Sequence, residues 1–467
     1  MATINTLRKF LDRKQWEPCN YCPNGSTSNT FVASSKADPH KFFPLGNTTV
    51  AMYDPTDDGW TYLPNPSMGG TFGGGTCGGC GLQGPAGNAT AGTTTTITTN
   101  LNLPSDLRGY RLRITAGPNA GQERTILKNT LGANSVITVD TPFPTAITTA
   151  SAYVLLTGRF YFFNGGTLSA SSFRYYDTAT NTWNNMSVTG LPATWGTDGK
   201  LVVTDSTIQY VTSTSTGGNS STTIGTSGKA WVADAWRNFQ VRIISGTGAG
   251  QIRTISNNSG NTLTVSAAWT TVPDNTSVYV IEGNDDYIYL MGNASGTMYR
   301  YSLTAATWTT LAPTTGRAGA PSNGMTANWI NGVTAADWLD ETLPQSNGRY
   351  IYSFRGNGSN ALDVYDIASN SWSAPAYSAM NEAIQSSGGT ESIGGFLYIM
   401  LGSSGRMLKF NIATNTMEPC SQLWYSQGSA ITGDRMFSHS YFDGGTRIDF
   451  LYYITASQNM LFRMMLI

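Results

Sequence analysis

A short phrase returns along this chain and limits what it can fold into. It runs tyrosine, aspartate, a few turn residues, then tryptophan. The fullest copy is Tyr176-Asp177-Thr178-Ala179-Thr180-Asn181-Thr182-Trp183, and Tyr365-Asp366-Ile367-Ala368-Ser369-Asn370-Ser371-Trp372 is nearly the same. Tyr53-Asp54-Pro55-Thr56-Asp57-Asp58-Gly59-Trp60 is a third. Tyr301 to Trp308 and Phe410 to Met417 are weaker copies. Each ends one strand, turns on Asp, Asn, Ser or Thr chemistry, and begins another strand. The acidic or amide side chain bonds backbone N–H groups in the turn, and the aromatic pair packs on one sheet face.

Upstream of most copies lies an aromatic strand, often ending in glycine: Arg159 to Gly166, Tyr287 to Gly292, Tyr350 to Gly356, Phe396 to Gly402 and Phe450 to Ile454. Strand, loop, strand, polar turn and tryptophan at a fixed period is the signature of propeller blades. The pair of phrases resembles the kelch repeat, over roughly half to two-thirds of the chain. The double glycine survives in full only at Gly165-Gly166. The resemblance implies an all-β, kelch-like propeller of about six blades and says little about function. The last blade lacks a Trp turn of its own. An N-terminal strand is therefore expected to complete it and close the ring, so that neither sheet edge is exposed.

Composition agrees with strands and turns. Only 12% of residues are charged, about half the usual share. A net charge of −1 recruits neither nucleic acid nor anionic membrane. No run of apolar residues is long enough for a membrane span. The N-terminus lacks an apolar signal core, so synthesis in a host cytoplasm is expected. The Thr/Ser/Asn/Gly-rich style is that of an exposed particle surface.

Residues 1–28 read as a helix and arm. Ile4, Leu7, Phe10 and Leu11 make an apolar stripe through residues 1–17, either packed on the chain's own propeller or docked on a partner subunit. The arm carries Cys19-x-x-Cys22, and residues 29–91, which begin the propeller, carry Cys77-x-x-Cys80. Two such pairs look like the halves of one structural zinc site, with Cys19, Cys22, Cys77 and Cys80 as ligands. Disulfides and free thiols are the alternatives. Cys420 reads as a lone, partly buried thiol. The glycines of residues 69–81 read as close backbone packing, not a phosphate cradle, because no Gly-Lys-Ser/Thr follows.

The blades are interrupted twice by the same module, at residues 92–157 and 214–283, with blade segments at 158–213 and 284–467. Gly117-Pro118-Asn119-Ala120-Gly121-Gln122-Glu123-Arg124-Thr125-Ile126 matches Gly246-Thr247-Gly248-Ala249-Gly250-Gln251-Ile252-Arg253-Thr254-Ile255. Before it, Tyr110-Arg111-Leu112-Arg113-Ile114 matches Phe239-Gln240-Val241-Arg242-Ile243. Each module reads as a small antiparallel β-domain with this stretch as a hairpin turn. Gly121, Gln122, Arg124, Gly250, Gln251 and Arg253 are read as fold-determining, the arginine reaching back to carbonyls. Glycan contact is the weaker reading, with Trp231, Trp236 and Trp269 as exposed aromatics that stack on sugars or on neighbouring subunits. A Pro273-Asp274-Asn275-Thr276-Ser277-Val278-Tyr279 ending closes the second module, and the first departs from it between Thr145 and Ala152. Such modules resemble those of bacteriophage virion proteins, particularly tail and fibre-associated ones.

No catalytic set is expected. The two histidines, His40 and His439, are far apart in sequence, and no Gly-x-Ser-x-Gly elbow occurs. The resemblances together imply a non-enzymatic virion component, in tail, fibre attachment or capsid surface. It would bind other virion proteins within a symmetric oligomer, with a host-surface glycan as a further candidate partner. A carbohydrate-binding or carbohydrate-cleaving propeller and a secreted kelch-like adhesin are the alternatives.

Overall fold

The computed structural model describes residues 16–20, 33–34, 41–45, 49–66, 76–196, 199–203, 209–284, 287–292, 297–315, 326–329, 350–356, 359–367, 369–374, 389–393, 395–401, 406–422, 436–443, 446–454 and 460–466. Among these, every regular element is a β-strand. The strands build six four-stranded antiparallel sheets, two larger sheets and one two-stranded pair.

The first sheet holds Ala33–Ser34, Lys41–Leu45, Thr49–Asp54 and Gly59–Tyr62. The second holds Cys77–Gly81, Arg159–Phe163, Phe173–Asp177 and Thr182–Asn185. The third holds Gly199–Val203, Tyr287–Gly292, Met298–Ser302 and Thr307–Leu311. The fourth holds Thr326–Trp329, Tyr350–Gly356, Ser359–Asp366 and Ser371–Ser373. The fifth holds Gly389–Ile393, Phe396–Leu401, Arg406–Asn411 and Thr416–Gln422. The sixth holds Met436–Asp443, Thr446–Ile454, Leu461–Leu466 and, as its fourth strand, Glu17–Pro18 from the other end of the chain.

Each sheet's first strand lies beside the first strand of the next, and that of the sixth lies beside that of the first. The core follows the same cycle. Phe42, Val50, Cys80, Phe160 and Phe162 pack between the first and second sheets. Tyr161, Phe163, Leu201, Ile288 and Leu290 pack between the second and third. Tyr289, Met291, Ile351 and Tyr365 follow, then Tyr352, Val364, Leu397 and Ile399, then Tyr398, Met400, Leu451 and Tyr453. Ala51, Tyr53, Phe437 and Tyr452 close the cycle. This explains the unbroken apolar strands. Successive side chains point to opposite faces, and both faces are covered, so Phe160 and Phe162 serve one interface while Tyr161 and Phe163 serve the other. Gly79 and Gly81 sit where a Cβ would come within 2.8 Å of Val203 and 3.0 Å of Tyr161. The glycine-rich strand is therefore a close-packing requirement, as the sequence suggested.

The repeated phrase is a turn with a fixed wiring. Asp54, Asp177 and Asn411 accept backbone N–H bonds from residues two or three further on. The residue before the last strand is left-handed: Asp58, Asn181, Ala306, Asn370 and Asn415 have φ between 50° and 54°. Asn and Asp tolerate that region better than other non-glycine residues. The tyrosine hydroxyl donates to the same residue, from Tyr53 to Asp58, Tyr176 to Asn181 and Tyr365 to Asn370, at 2.6–2.7 Å. Its ring packs on the tryptophan at 4.9–5.3 Å in four copies, each contact adding about 0.5–1.5 kcal/mol beyond burial.

The turn also fastens the second, third and fourth sheets to their predecessors. The Trp183 indole N–H donates to Pro64 O at 2.8 Å, and the Trp308 indole to Ser187 O at 3.2 Å. Asn370 donates to Ala312 O at 2.9 Å. Trp60 donates to Asn20 O at 3.4 Å, while the Asn20 N–H donates to the Asp58 carboxylate at 3.0 Å. The N-terminal arm thus joins the first sheet by the same staple that joins the others. It is fixed to the sixth by pairing of Glu17 with Arg463 and Pro18 with Phe462, and by a Glu17–Arg463 ion pair at 2.5 Å.

One expectation about the arm changes, and one is not reached. The stripe Ile4, Leu7, Phe10 and Leu11 lies outside the described residues, and Glu17, at the end of the expected helix, is in a strand. The open edge of Leu461–Leu466 offers it backbone partners that a helix end would not use.

Candidate functional site

Both inserted modules leave their sheets at the same connection. The first follows Cys77–Gly81 and returns at Arg159–Phe163, and the second follows Gly199–Val203 and returns at Tyr287–Gly292. These first strands are neighbours. Insertion at equivalent points of adjacent sheets brings the modules side by side.

The first module is a seven-stranded sheet and the second a six-stranded one. They begin earlier than expected, taking in Ala86–Asn88 and Gln209–Thr214. In each, the Gly-x-x-Ala-Gly-Gln stretch joins two paired strands, Arg111–Ala116 with Glu123–Asn129 and Gln240–Ser245 with Ile252–Asn258. The cores are separate, around Ile97, Leu112, Ile126 and Tyr153 in one and Ile224, Trp236, Val241 and Tyr279 in the other. Ala179, from the Tyr176–Trp183 turn, is buried in the first module's core. Asn238 of the second module donates to Ile367 O, in the Tyr365–Trp372 turn, at 2.8 Å. Each module therefore contacts one of the repeated Tyr-to-Trp turns.

The two hairpin turns meet. A Cβ on Gly121 would stand 2.6 Å from Ile243 O, and one on Gly250 would stand 2.5 Å from the Ala120 Cβ. Both glycines also have φ near +87° (86° and 88°), so close approach and backbone conformation both demand glycine. Behind the turns lies a concentration of buried charge. Arg113 and Arg242 occupy matching positions and have side chains 3% and 1% exposed. Arg113 Nε donates to Glu123 of its own module at 2.7 Å, and Nη2 to Glu282 of the other at 3.4 Å. Arg242 Nε donates to its own Glu282 at 2.9 Å, and Nη2 to Glu123 at 2.9 Å. Its Nη1 donates across the seam to Gly121 O at 2.6 Å. Arg111 adds a peripheral contact to Glu123 at 3.0 Å.

Glu282 is fully buried. Burial by itself raises the Glu123 carboxyl, but Arg113, Arg242 and Arg111 outweigh it and hold it below the usual carboxylate range. Both carboxylates are thus held by guanidinium forks in a seam with little water access, where breaking one partner of a buried pair costs about 3–5 kcal/mol. The arginines were visible in the matched flanks. The carboxylates were missed because they are not equivalent: the second module has Ile252 where the first has Glu123, and the first has Leu156 where the second has Glu282.

The other turn residues are internal clamps, as expected. Arg124 donates to the carbonyls of Thr141, Glu123 and Pro142 and to Gln122 Oε1. Arg253 donates to Ala268 O, Ile252 O and Thr270 Oγ1. Each guanidinium also lies over an aromatic ring, Phe143 at 4.8 Å and Trp269 at 5.5 Å. Gln251 binds Thr271 O and accepts the N–H groups of Thr270 and Thr271. The differing module endings make one turn: Asp274 N–H bonds Ser277 Oγ, and Thr148 N–H bonds Ser151 Oγ. The three tryptophans expected at the surface are buried instead. Trp231, Trp236 and Trp269 are 3%, 0% and 5% exposed and fill the second module's core. Their mixed, non-periodic surroundings hid this.

The cysteines are distributed. Cys77 and Cys80 lie three apart on one strand, so they face opposite sides. Cys77 packs between the second and third sheets and Cys80 between the first and second. Cys19 packs between the sixth and first sheets, and burial pushes its thiol up to about 12. Burial likewise raises the Cys77 thiol. Cys22 lies outside the described residues. Cys19, Cys77, Cys80 and Cys420 form no disulfide, and no group of three His, Cys, Asp or Glu side chains gathers to hold a metal among the described residues. The arm is pinned by the hydrogen bonds and strand pairing described above. His439 lies in a strand opposite Phe450, and His40 is outside the described residues. Among the described residues no helix is long and apolar enough to cross a membrane.

No protein-family model matches the chain, and no curated protein matches it.

Proposed function

We propose that this chain is a non-enzymatic structural component of a bacteriophage particle, a six-bladed kelch-like β-propeller that carries a rigid pair of β-modules. The six four-stranded sheets in cyclic neighbour order, with a core between each successive pair, support the propeller reading. The modules resemble those of tail and fibre-associated virion proteins, which supports the particle reading. The observation that carries the role is the seam. Two insertions are locked to each other by buried charge and are each seated on a blade turn. Such a unit is built to hold a fixed shape against a neighbour. Residues 17–18 pair at the edge of the closing sheet, and in this reading the segment before them attaches the chain to another virion subunit. Host-surface glycan binding loses its aromatic support, because the three tryptophans put forward for it are buried.

The test is location. Antibody raised to the purified chain is applied to purified phage particles from its source, with gold labelling and peptide mass spectrometry of the same particles. Labelling at one defined position supports the reading. A chain made during infection but missing from finished particles overturns it.

A further inference from the structure

The seam has the properties of a self-complementary surface. In an isologous contact the same groups serve both sides. Here each arginine gives its Nε to the carboxylate of its own module and its Nη2 to that of the other. Each Ala-Gly turn approaches its counterpart, with Gly121 against Ile243 and Gly250 against Ala120. The contact draws on residues that the two modules share in sequence: Arg113 with Arg242, Ala120 with Ala249 and Gly121 with Gly250. The carboxylates come from different strands yet reach the same guanidinium pair. The surface therefore requires one carboxylate per module and does not depend on which strand supplies it.

We propose that the seam is a homotypic pairing surface whose fitting partner is another module of the same type. In this chain the partner is supplied within the molecule. A second copy of the chain supplies it when the internal contact is lost. The inference does not depend on the particle reading, since it rests on the two modules alone.

Two experiments on the full-length chain test it. In the first, Gly121→Val and Gly250→Val are made singly and together. Each single variant closes one face and leaves the other intact and unpaired. Each is expected to double its 50.0 kDa mass in light scattering, while the double variant stays monomeric. Single variants that remain monomeric, with the near-ultraviolet signal of Trp231, Trp236 and Trp269 retained, overturn the proposal. So does a double variant that dimerises equally well. The second experiment avoids dependence on variants that fold poorly. Glu282→Leu is compared with Glu282→Leu combined with Ile252→Glu, which gives the second module the first module's carboxylate placement. The combined variant is expected to recover most of the loss in unfolding midpoint. No recovery means that the surface reads one specific arrangement and is not self-complementary.

Discussion

Replacing Glu282 by Gln keeps the shape of the seam and removes one of its two carboxylates. Glu282 is fully buried, and it receives Arg242 at 2.9 Å and Arg113 at 3.4 Å. In the variant, two guanidiniums that are 97% and 99% buried must share Glu123, which already carries Arg111. Loss of one partner from a buried pair costs about 3–5 kcal/mol because the remaining charge is left uncompensated. The amide oxygen recovers part of the hydrogen bonding, so a loss near 3 kcal/mol is expected. Urea unfolding followed by tryptophan fluorescence reports it, since Trp231, Trp236 and Trp269 all lie in the second module's core. The loss should be nearly the same at low and high salt, because buried pairs are weakly screened. A loss under about 1 kcal/mol, or one that disappears in salt, would falsify the account of the seam as buried and ion-paired. Acid gives a second reading of the same site. The Glu123 carboxyl lies below its ordinary value in the folded chain. Its contribution is fully present above about pH 4.3 and is lost as pH falls through the lowered value. Glu123→Gln should flatten that acid limb.

Other outcomes follow from the turns and thiols. Ala306 is exposed and left-handed at φ 52°, where its sister turns carry Asn or Asp, so Ala306→Gly should stabilise by about 1 kcal/mol in the same urea assay. Gly190 has φ +97°, and a Cβ there would stand 2.1 Å from Trp308 O. Gly190→Ala should lower stability by about 1–3 kcal/mol, and an unchanged midpoint would mean that the staple between the second and third sheets is loose. The chain has five cysteines. Thiol titration should find Cys77 and Cys80 unreactive until unfolding, and elemental analysis should find no zinc. One zinc per chain would require the strand Cys77–Gly81 to turn both thiols to one side.

Much of the fold was legible because the repeat carries its own chemistry. Tyr176, Asp177, Asn181 and Trp183 each make a bond or ring contact that their position in the phrase implied. The closing strand was legible from the missing Trp turn. The cysteine pairs were not decisive because spacing does not state the backbone conformation. Two residues three apart converge in a loop and diverge in a strand. The tryptophans misled for a related reason: a low-charge module surrounds its core residues with the same Thr, Ser and Asn that cover its surface. The seam was half legible. Repetition marked Arg113 and Arg242, whereas Glu123 and Glu282 stand at positions that repetition cannot mark.

Insertion at adjacent sheets has a mechanical side. The first module is tied to the second sheet by two strands, and the second module is tied to the third sheet by two more. The seam joins the free ends of these ties, and the stapling of Trp308 to Ser187 joins their bases. The result is a closed four-sided frame. A force that tries to slide the second sheet along the third is carried through the modules as compression and tension, and does not fall on a single row of backbone bonds. A load applied to the outer end of the pair is likewise divided between two sheets at their roots.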